Sequence, residues 1–298
     1  MPVALITGLS GFTGKYLAVE LRAAGYSVAG LVFGEPGNCS EQTYACDLCD
    51  IKALSAVIET VKPDVVVHLA GISFVAHGNV DEIYRTNVVG TRNLLQAIHD
   101  VGHLPRIVLL ASSANVYGNA AVEVIDELVP PAPANDYAVS KLAMEYMARL
   151  WFDRLPITIV RPFNYTGVGQ SEAFLLPKIV NHFRRRAHEI ELGNLDVFRD
   201  FSDVRFVAQC YRALLESEGQ GQIFNICSGV GTSLQEVLHM MHDISGYSPE
   251  VRVNPAFVRV DDVRRLLGSR FKLEQVIGRV AAIPLEDTLR WMYAAPQL

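Results

Sequence analysis

Val3-Ala4-Leu5-Ile6 is a short, wholly apolar run, and it opens at once into Thr7-Gly8-Leu9-Ser10-Gly11-Phe12-Thr13-Gly14. Lys15 to Leu21 follow in helical spacing. A strand buried on both faces reads as an unbroken hydrophobic stretch. Strand, glycine turn and helix in this order form the start of a dinucleotide-binding unit. Gly8 permits the tight turn, and Gly11 lets the backbone approach a pyrophosphate at the helix N-terminus, where free N–H groups await an anion. Gly14 lets the helix pack close to the strand. Ser10, Phe12 and Thr13 complete the turn. Such a start points to an α/β fold, a doubly wound parallel sheet with helices on both faces.

A second constellation lies further on. Ile107 to Ala111 is another buried run, and it ends in Ser112-Ser113-Ala114-Asn115-Val116-Tyr117-Gly118. Asn135-Asp136-Tyr137-Ala138-Val139-Ser140-Lys141 follows the stiff Pro130-to-Ala134 loop. Tyr137 and Lys141 are four apart and share a helix face. A nearby ammonium favours the phenolate and is expected to pull the Tyr137 pKa down. Ser113 can hold a carbonyl or alcohol oxygen while Tyr137 gives or takes its proton. Tyr-x-x-x-Lys alone is a common accident of helices; Ser113 and the glycine turn supply its context.

Between these motifs, Ser27 to Phe33, Gln42 to Cys46 and Val65 to Leu69 read as further strands. An acid at the end of the second strand usually holds the ribose of NAD, and an arginine the phosphate of NADP. The sequence offers Val32-Phe33-Gly34-Glu35-Pro36, with Glu35 beyond the expected place and no arginine, so NADP and NAD both stay open. Small residues at Leu69-Ala70-Gly71 let a cofactor cross the strand end. His68, inside an apolar run, reads as a satisfied structural histidine. Ile157 to Arg161 is the sixth strand and Gln222 to Cys227 a late strand returning to the sheet. Residues 1–164, with 200–228, are the expected dinucleotide-binding domain; 165–199 and 229–298 are the expected substrate lobe.

The net charge of −6 over 298 residues argues against a nucleic-acid partner, which needs a basic surface. No apolar run is long enough for a membrane span, and a first strand starting at Val3 leaves no room for a signal peptide, so a cytoplasmic protein is expected. Five cysteines in a chain this long are no disulfide framework, and Cys46-x-x-Cys49 lacks a second pair at zinc spacing. No metal site is expected.

The Gly8–Gly14 spacing together with Ser113, Tyr137 and Lys141 resembles the short-chain dehydrogenase/reductase superfamily, in its extended branch acting on nucleotide sugars. Arg161-Pro162-Phe163-Asn164, Gly167-Val168-Gly169-Gln170, Arg199-Asp200-Phe201-Ser202-Asp203-Val204 and Asn225-Ile226-Cys227-Ser228-Gly229 carry the likeness further. They resemble the GDP-6-deoxy-4-keto-D-mannose reductases, which make GDP-D-rhamnose, and behind them the GDP-mannose 4,6-dehydratases. The resemblance implies a Rossmann-type fold and an oxidoreductase that reduces C4 of a GDP-4-keto-6-deoxyhexose. It implies cofactor contacts at Asp47, Leu48 and Pro162, a hold by Lys141 on the nicotinamide ribose, and an anchoring role for Asn87. Substrate contacts are implied at Ser113, Asn115, Asn164, Lys178, Arg199 and Arg259, and arginine's fork suits phosphate oxygens.

Asn115 is the departure. Dehydratases of this family place a glutamate there to take the C5 proton, and an amide has no titratable proton near neutrality. The dehydratase reading weakens and one-step reduction gains. An epimerase or dehydratase that retains its NAD(P) is the alternative on the same frame. A cofactor-sensing regulator is the alternative of another class, but regulators of this fold commonly lack the tyrosine. Apolar Leu142, Met144, Tyr146 and Met147 lead to the expectation of a homodimer through a helix bundle.

Overall fold

The computed structural model describes residues 1–34, 41–72, 79–257 and 265–296. In the first part of the chain strands and helices alternate: β1 (Val3–Thr7), α1 (Phe12–Ala23), β2 (Ser27–Val32), β3 (Gln42–Ala45), α2 (Ile51–Val61), β4 (Val65–His68), α3 (Val80–Tyr84), α4 (Thr91–Val101) and β5 (Ile107–Ala111). Then come β6 (Val124–Ile125), α5 (Asp136–Arg149), β7 (Ile157–Pro162), β8 (Asn164–Thr166), α6 (Leu175–Arg184), β9 (Glu189–Leu192), β10 (Phe198–Asp203), α7 (Val204–Leu215) and β11 (Ile223–Ile226). The chain closes with β12 (Gly231–Ser233), α8 (Leu234–Ser245), β13 (Glu250–Val253), β14 (Arg265–Gly268), α9 (Phe271–Ile277) and α10 (Leu285–Ala294).

The main sheet has seven strands in the order β11-β7-β5-β4-β1-β2-β3, and every neighbouring pair is parallel. The order reverses between β1 and β4, the switch point where doubly wound sheets bind their ligands. Period-2 alternation divides β1 between two cores. Ala4 and Ile6 join α1 and α7 on one face, and Leu5 joins α2, α4 and α5 on the other. The late strand from Ile223 does return to this sheet, against β7.

A smaller sheet runs β12-β10-β14-β6, with β8 also on β10, and β9 pairs with β13. The stretch Phe198–Asp203 is therefore a strand, and its β10 belongs to the smaller sheet. α6, α8 and α10 cover this region around Phe183, Met241 and Leu289. No described helix is long and apolar enough to cross a membrane.

Local chemistry sets the starts of the helices that matter most. Asn135 accepts from Ala138 N at 2.9 Å and starts α5. Between α3 and α4 the helix widens to a π-turn over Arg85–Gly90, the segment that holds Asn87. In α5, Met144 is fully buried, and Leu142 and Met147 pack against core clusters. Of the four apolar residues named above, only Tyr146 is exposed. The helix face left apolar is instead Val139, Tyr146 and Leu150, at i, i+7 and i+11.

Candidate active site

The glycine turn sits at the carboxyl end of β1. Gly8 has φ +72°, and a Cβ there would meet Ala70 N at 2.8 Å, so the close approach of the β1 and β4 turns needs a glycine. A Cβ on Gly14 would meet Gly8 O at 2.5 Å, which is how closely α1 packs on the turn. α1 has no side-chain cap at Gly11, and Gly11 to Gly14 line the cleft. Uncapped first-turn N–H groups beside a cleft fit a diphosphate.

That cleft has a volume of about 1670 Å³, above the ~300–1,000 Å³ usual for one small ligand. It runs from the glycine turn past the ends of β4, β5 and β7 into the smaller lobe. Along it lie Gly8, Ser10 to Gly14, Asp47 and Leu48, Leu69 to Gly71, Ser113 and Asn115, Tyr137 and Lys141, Pro162 and Asn164, and Lys178 and Arg199. Residues from the two ends of the sequence reading thus share one space. Arg259 and Glu35 lie outside the described residues. The second strand ends at Val32, and exposed Phe33 lines the cleft beside it.

Tyr137 and Ser113 are both buried on the cleft, and the Ser113 hydroxyl acts to favour the ionised phenol. Burial pushes the Tyr137 phenol up to about 12, against that opposing pull. The expectation of a lysine-lowered phenol is therefore reversed. The cause is desolvation of the phenol itself. Lys141 is buried as well: loss of water pulls its pKa to about 8, with Glu145 acting the other way. The Lys141 ammonium donates to Ala111 O at 2.8 Å. Near neutrality this corner holds a protonated phenol, the form a general acid requires.

Two helices frame the corner. Asn87 accepts from Ile72 N at 2.9 Å and donates to Ser140 Oγ at 3.0 Å, tying the β4 turn to α5. His68 is buried between Thr7 at 2.7 Å and Thr91 at 2.8 Å, and burial drives its pKa down to about 3. Thr91 donates to Asn87 O, so it accepts from His68 Nε2–H; Nδ1 is then the acceptor for Thr7. His68 is a neutral structural group.

The end of the cleft at the smaller lobe is tied to backbone carbonyls. Lys178 Nζ donates to Glu191 O at 2.9 Å and lies 5.1 Å from the centre of the Phe257 ring. Arg199 Nη1 donates to Phe198 O at 2.8 Å, and Asn164 Nδ2 to Asp200 O at 3.3 Å. Asn115 is exposed on the cleft. Tyr165 and Phe257 were not singled out by the sequence. Tyr165 lines the cleft, hydrogen-bonds Thr13 at 2.8 Å and stacks on Phe12. Its partners lie across the chain, so no local pattern marks it; its place next to Asn164 was the available signal.

A parallel sheet with a glycine turn at its switch point, and a Ser–Tyr–Lys corner on the same cleft, is the frame of a nicotinamide-dependent oxidoreductase class. The chain belongs to the NAD dependent epimerase/dehydratase family, whose model matches residues 4–227. It is 37% identical to GDP-6-deoxy-D-talose 4-dehydrogenase of Aggregatibacter actinomycetemcomitans, over 92% of this chain and 90% of that one. To GDP-6-deoxy-D-mannose reductase of Pseudomonas aeruginosa it is 34% identical, over 96% and 94%. The solved structure of RMD from Pseudomonas aeruginosa, complexed with NADPH, matches with a TM-score of 0.86 at 32% identity, covering 99% of this chain and 98% of that one.

Proposed function

We propose that this protein is a nucleotide-sugar 4-ketoreductase, which uses NADPH or NADH to reduce the C4 ketone of a GDP-4-keto-6-deoxyhexose to a GDP-6-deoxyhexose such as GDP-D-rhamnose. The observation that carries the reading is Ser113, Tyr137 and Lys141 buried together on the cleft, with an amide rather than a carboxylate at residue 115. The bound nicotinamide supplies the hydride. Ser113 holds the carbonyl oxygen, Tyr137 delivers a proton to the alkoxide, and Lys141 holds the nicotinamide ribose and is the neighbouring cation. An alkoxide is a stronger base than a phenolate, so a raised Tyr137 pKa does not obstruct this direction.

Elimination of the C6 hydroxyl needs a carboxylate where Asn115 stands. Among the described residues neither Glu123 nor Asp126 lines the cleft, so nothing favours a dehydratase. The relatives' names, a 6-deoxytalose and a 6-deoxymannose, are the two C4 epimers that one ketone can yield.

In this reading residues 1–164 with 200–228, which hold all seven strands of the main sheet, carry the cofactor. The lobe of 165–199 and 229–298, joined by β6 and β10, carries the GDP moiety through Lys178, Arg199 and Arg259. Two copies associate through Val139 and Tyr146 of α5, Leu150 at its C-terminal end and Val89 of the π-turn, all exposed apolar residues. A monomer at micromolar concentration in light scattering contradicts that assembly. The setting is the cytoplasm.

The test is incubation with GDP-4-keto-6-deoxymannose and each reduced cofactor, followed by NMR of the product. A GDP-6-deoxyhexose is expected, and the coupling at H4 reads its configuration. Recovery of unchanged ketone with both cofactors rejects the reading.

A further inference from the structure

Ser113 stands on a short segment gripped at both ends. At its entrance Ala111 O accepts from Lys141, and Ser112 N donates to Val160 O at 2.8 Å. Ser112 Oγ donates to Glu145 Oε1 at 2.5 Å. Glu145 is fully buried, one turn beyond Lys141 on the same face of α5, and does not line the cleft. Arg161 of β7 grips it with a fork, Nε to Oε1 at 2.9 Å and Nη2 to Oε2 at 2.6 Å. The same guanidinium lies 4.8 Å from the centre of the Tyr117 ring, at the segment's exit. Tyr117 is itself pinned, since its phenol donates to Asn225 Oδ1 at 2.7 Å.

A buried ion pair is a poor way to stabilise a fold, because apolar side chains of like volume often serve as well or better. This pair touches both ends of the segment that carries the active-site serine. We propose that Glu145 and Arg161 are positioning residues, a clamp that fixes the Ser113 hydroxyl against Tyr137. Glu145 acts through Ser112 and Arg161 through Tyr117. The proposal rests on the reading of Ser113 and Tyr137 as the reacting pair, and it adds why the segment between Ser112 and Tyr117 keeps one geometry. Misplacement by about 1 Å can cost on the order of 10²-fold in rate.

The experiment is a double-mutant cycle with Ser113→Ala on the full-length enzyme, using GDP-4-keto-6-deoxymannose and its preferred reduced cofactor. Ser112→Ala is expected to lower kcat about 10-fold with the cofactor KM unchanged, and to cost less than about 2-fold when Ser113→Ala is already present. Replacing the pair, Glu145→Leu with Arg161→Met, is expected to lower kcat roughly 10²-fold in the wild type and only a few-fold in Ser113→Ala. Glu145→Gln keeps an acceptor for Ser112 and should recover part of the loss. If the pair replacement does not fold, the Ser112→Ala cycle decides alone. Equal losses with and without Ser113 overturn the clamp, as does a wild-type kcat in Ser112→Ala. Undiminished turnover in Ser113→Ala by itself overturns the active-site reading, and the clamp with it.

Discussion

The Ser113–Tyr137–Lys141 corner and the rim of the cleft at Lys178, Arg199 and Asn164 differ in how they are held. Ser113, Tyr137 and Lys141 are buried, and the groups around them are bonded to one another across α5, β5 and the π-turn. At the rim, Lys178, Arg199 and Asn164 donate to backbone carbonyls and face the open cleft. Chemistry needs reacting groups placed to a fraction of an ångström, whereas binding a flexible diphosphate needs charge within reach. Turnover should therefore be sensitive to the corner and KM to the rim.

The most damaging change is expected at the corner. Tyr137→Phe should bind cofactor normally in a fluorescence titration yet lose roughly 10²–10⁴ in kcat, the range for a positioned general acid. A loss below 10-fold would remove Tyr137 from the mechanism. At the rim, Lys178→Met and Arg199→Met should each raise the KM for the GDP-sugar about 10-fold and leave kcat within a few-fold. If kcat falls with KM unchanged, the division between corner and rim is wrong.

Smaller effects separate burial from reaction. A free lysine keeps its proton to pH ~10.4, but Lys141 releases it near 8 in the fold. Between those values the unfolded chain binds more protons. Wild type should therefore gain stability relative to Lys141→Met as pH rises through that window, with the full penalty below 8. Denaturant titrations at pH 7 and 10 read the difference; a pH-independent gap would mean that Lys141 is not desolvated. A second change is expected in acid. His68 refuses a proton until about pH 3, while the unfolded histidine accepts one near ~6.5. Wild type should lose stability as pH falls through that interval, and His68→Gln should lose less.

The legible parts of the sequence were those whose signal is local. The glycine turn and the runs at Val3, Val65, Ile107 and Ile157 declare buried parallel strands by composition alone. β6, β12 and β14 have two to four residues each and no apolar run; distant partners decide their pairing. Spacing placed Tyr137 beside Lys141, but not the burial that raises one pKa and lowers the other. It likewise could not tell inward Met144 from outward Tyr146. The Glu145–Arg161 pair joins a helix to a strand, and no pattern within either element announces it.

The most direct test of a one-way reductase is the stoichiometry of the cofactor. Absorbance at the reduced-nicotinamide band should fall by one equivalent per GDP-4-keto-6-deoxymannose consumed, and should not change with GDP-mannose. Conversion of GDP-mannose to a 4-keto-6-deoxy sugar without added reductant would contradict the account and require a base other than residue 115.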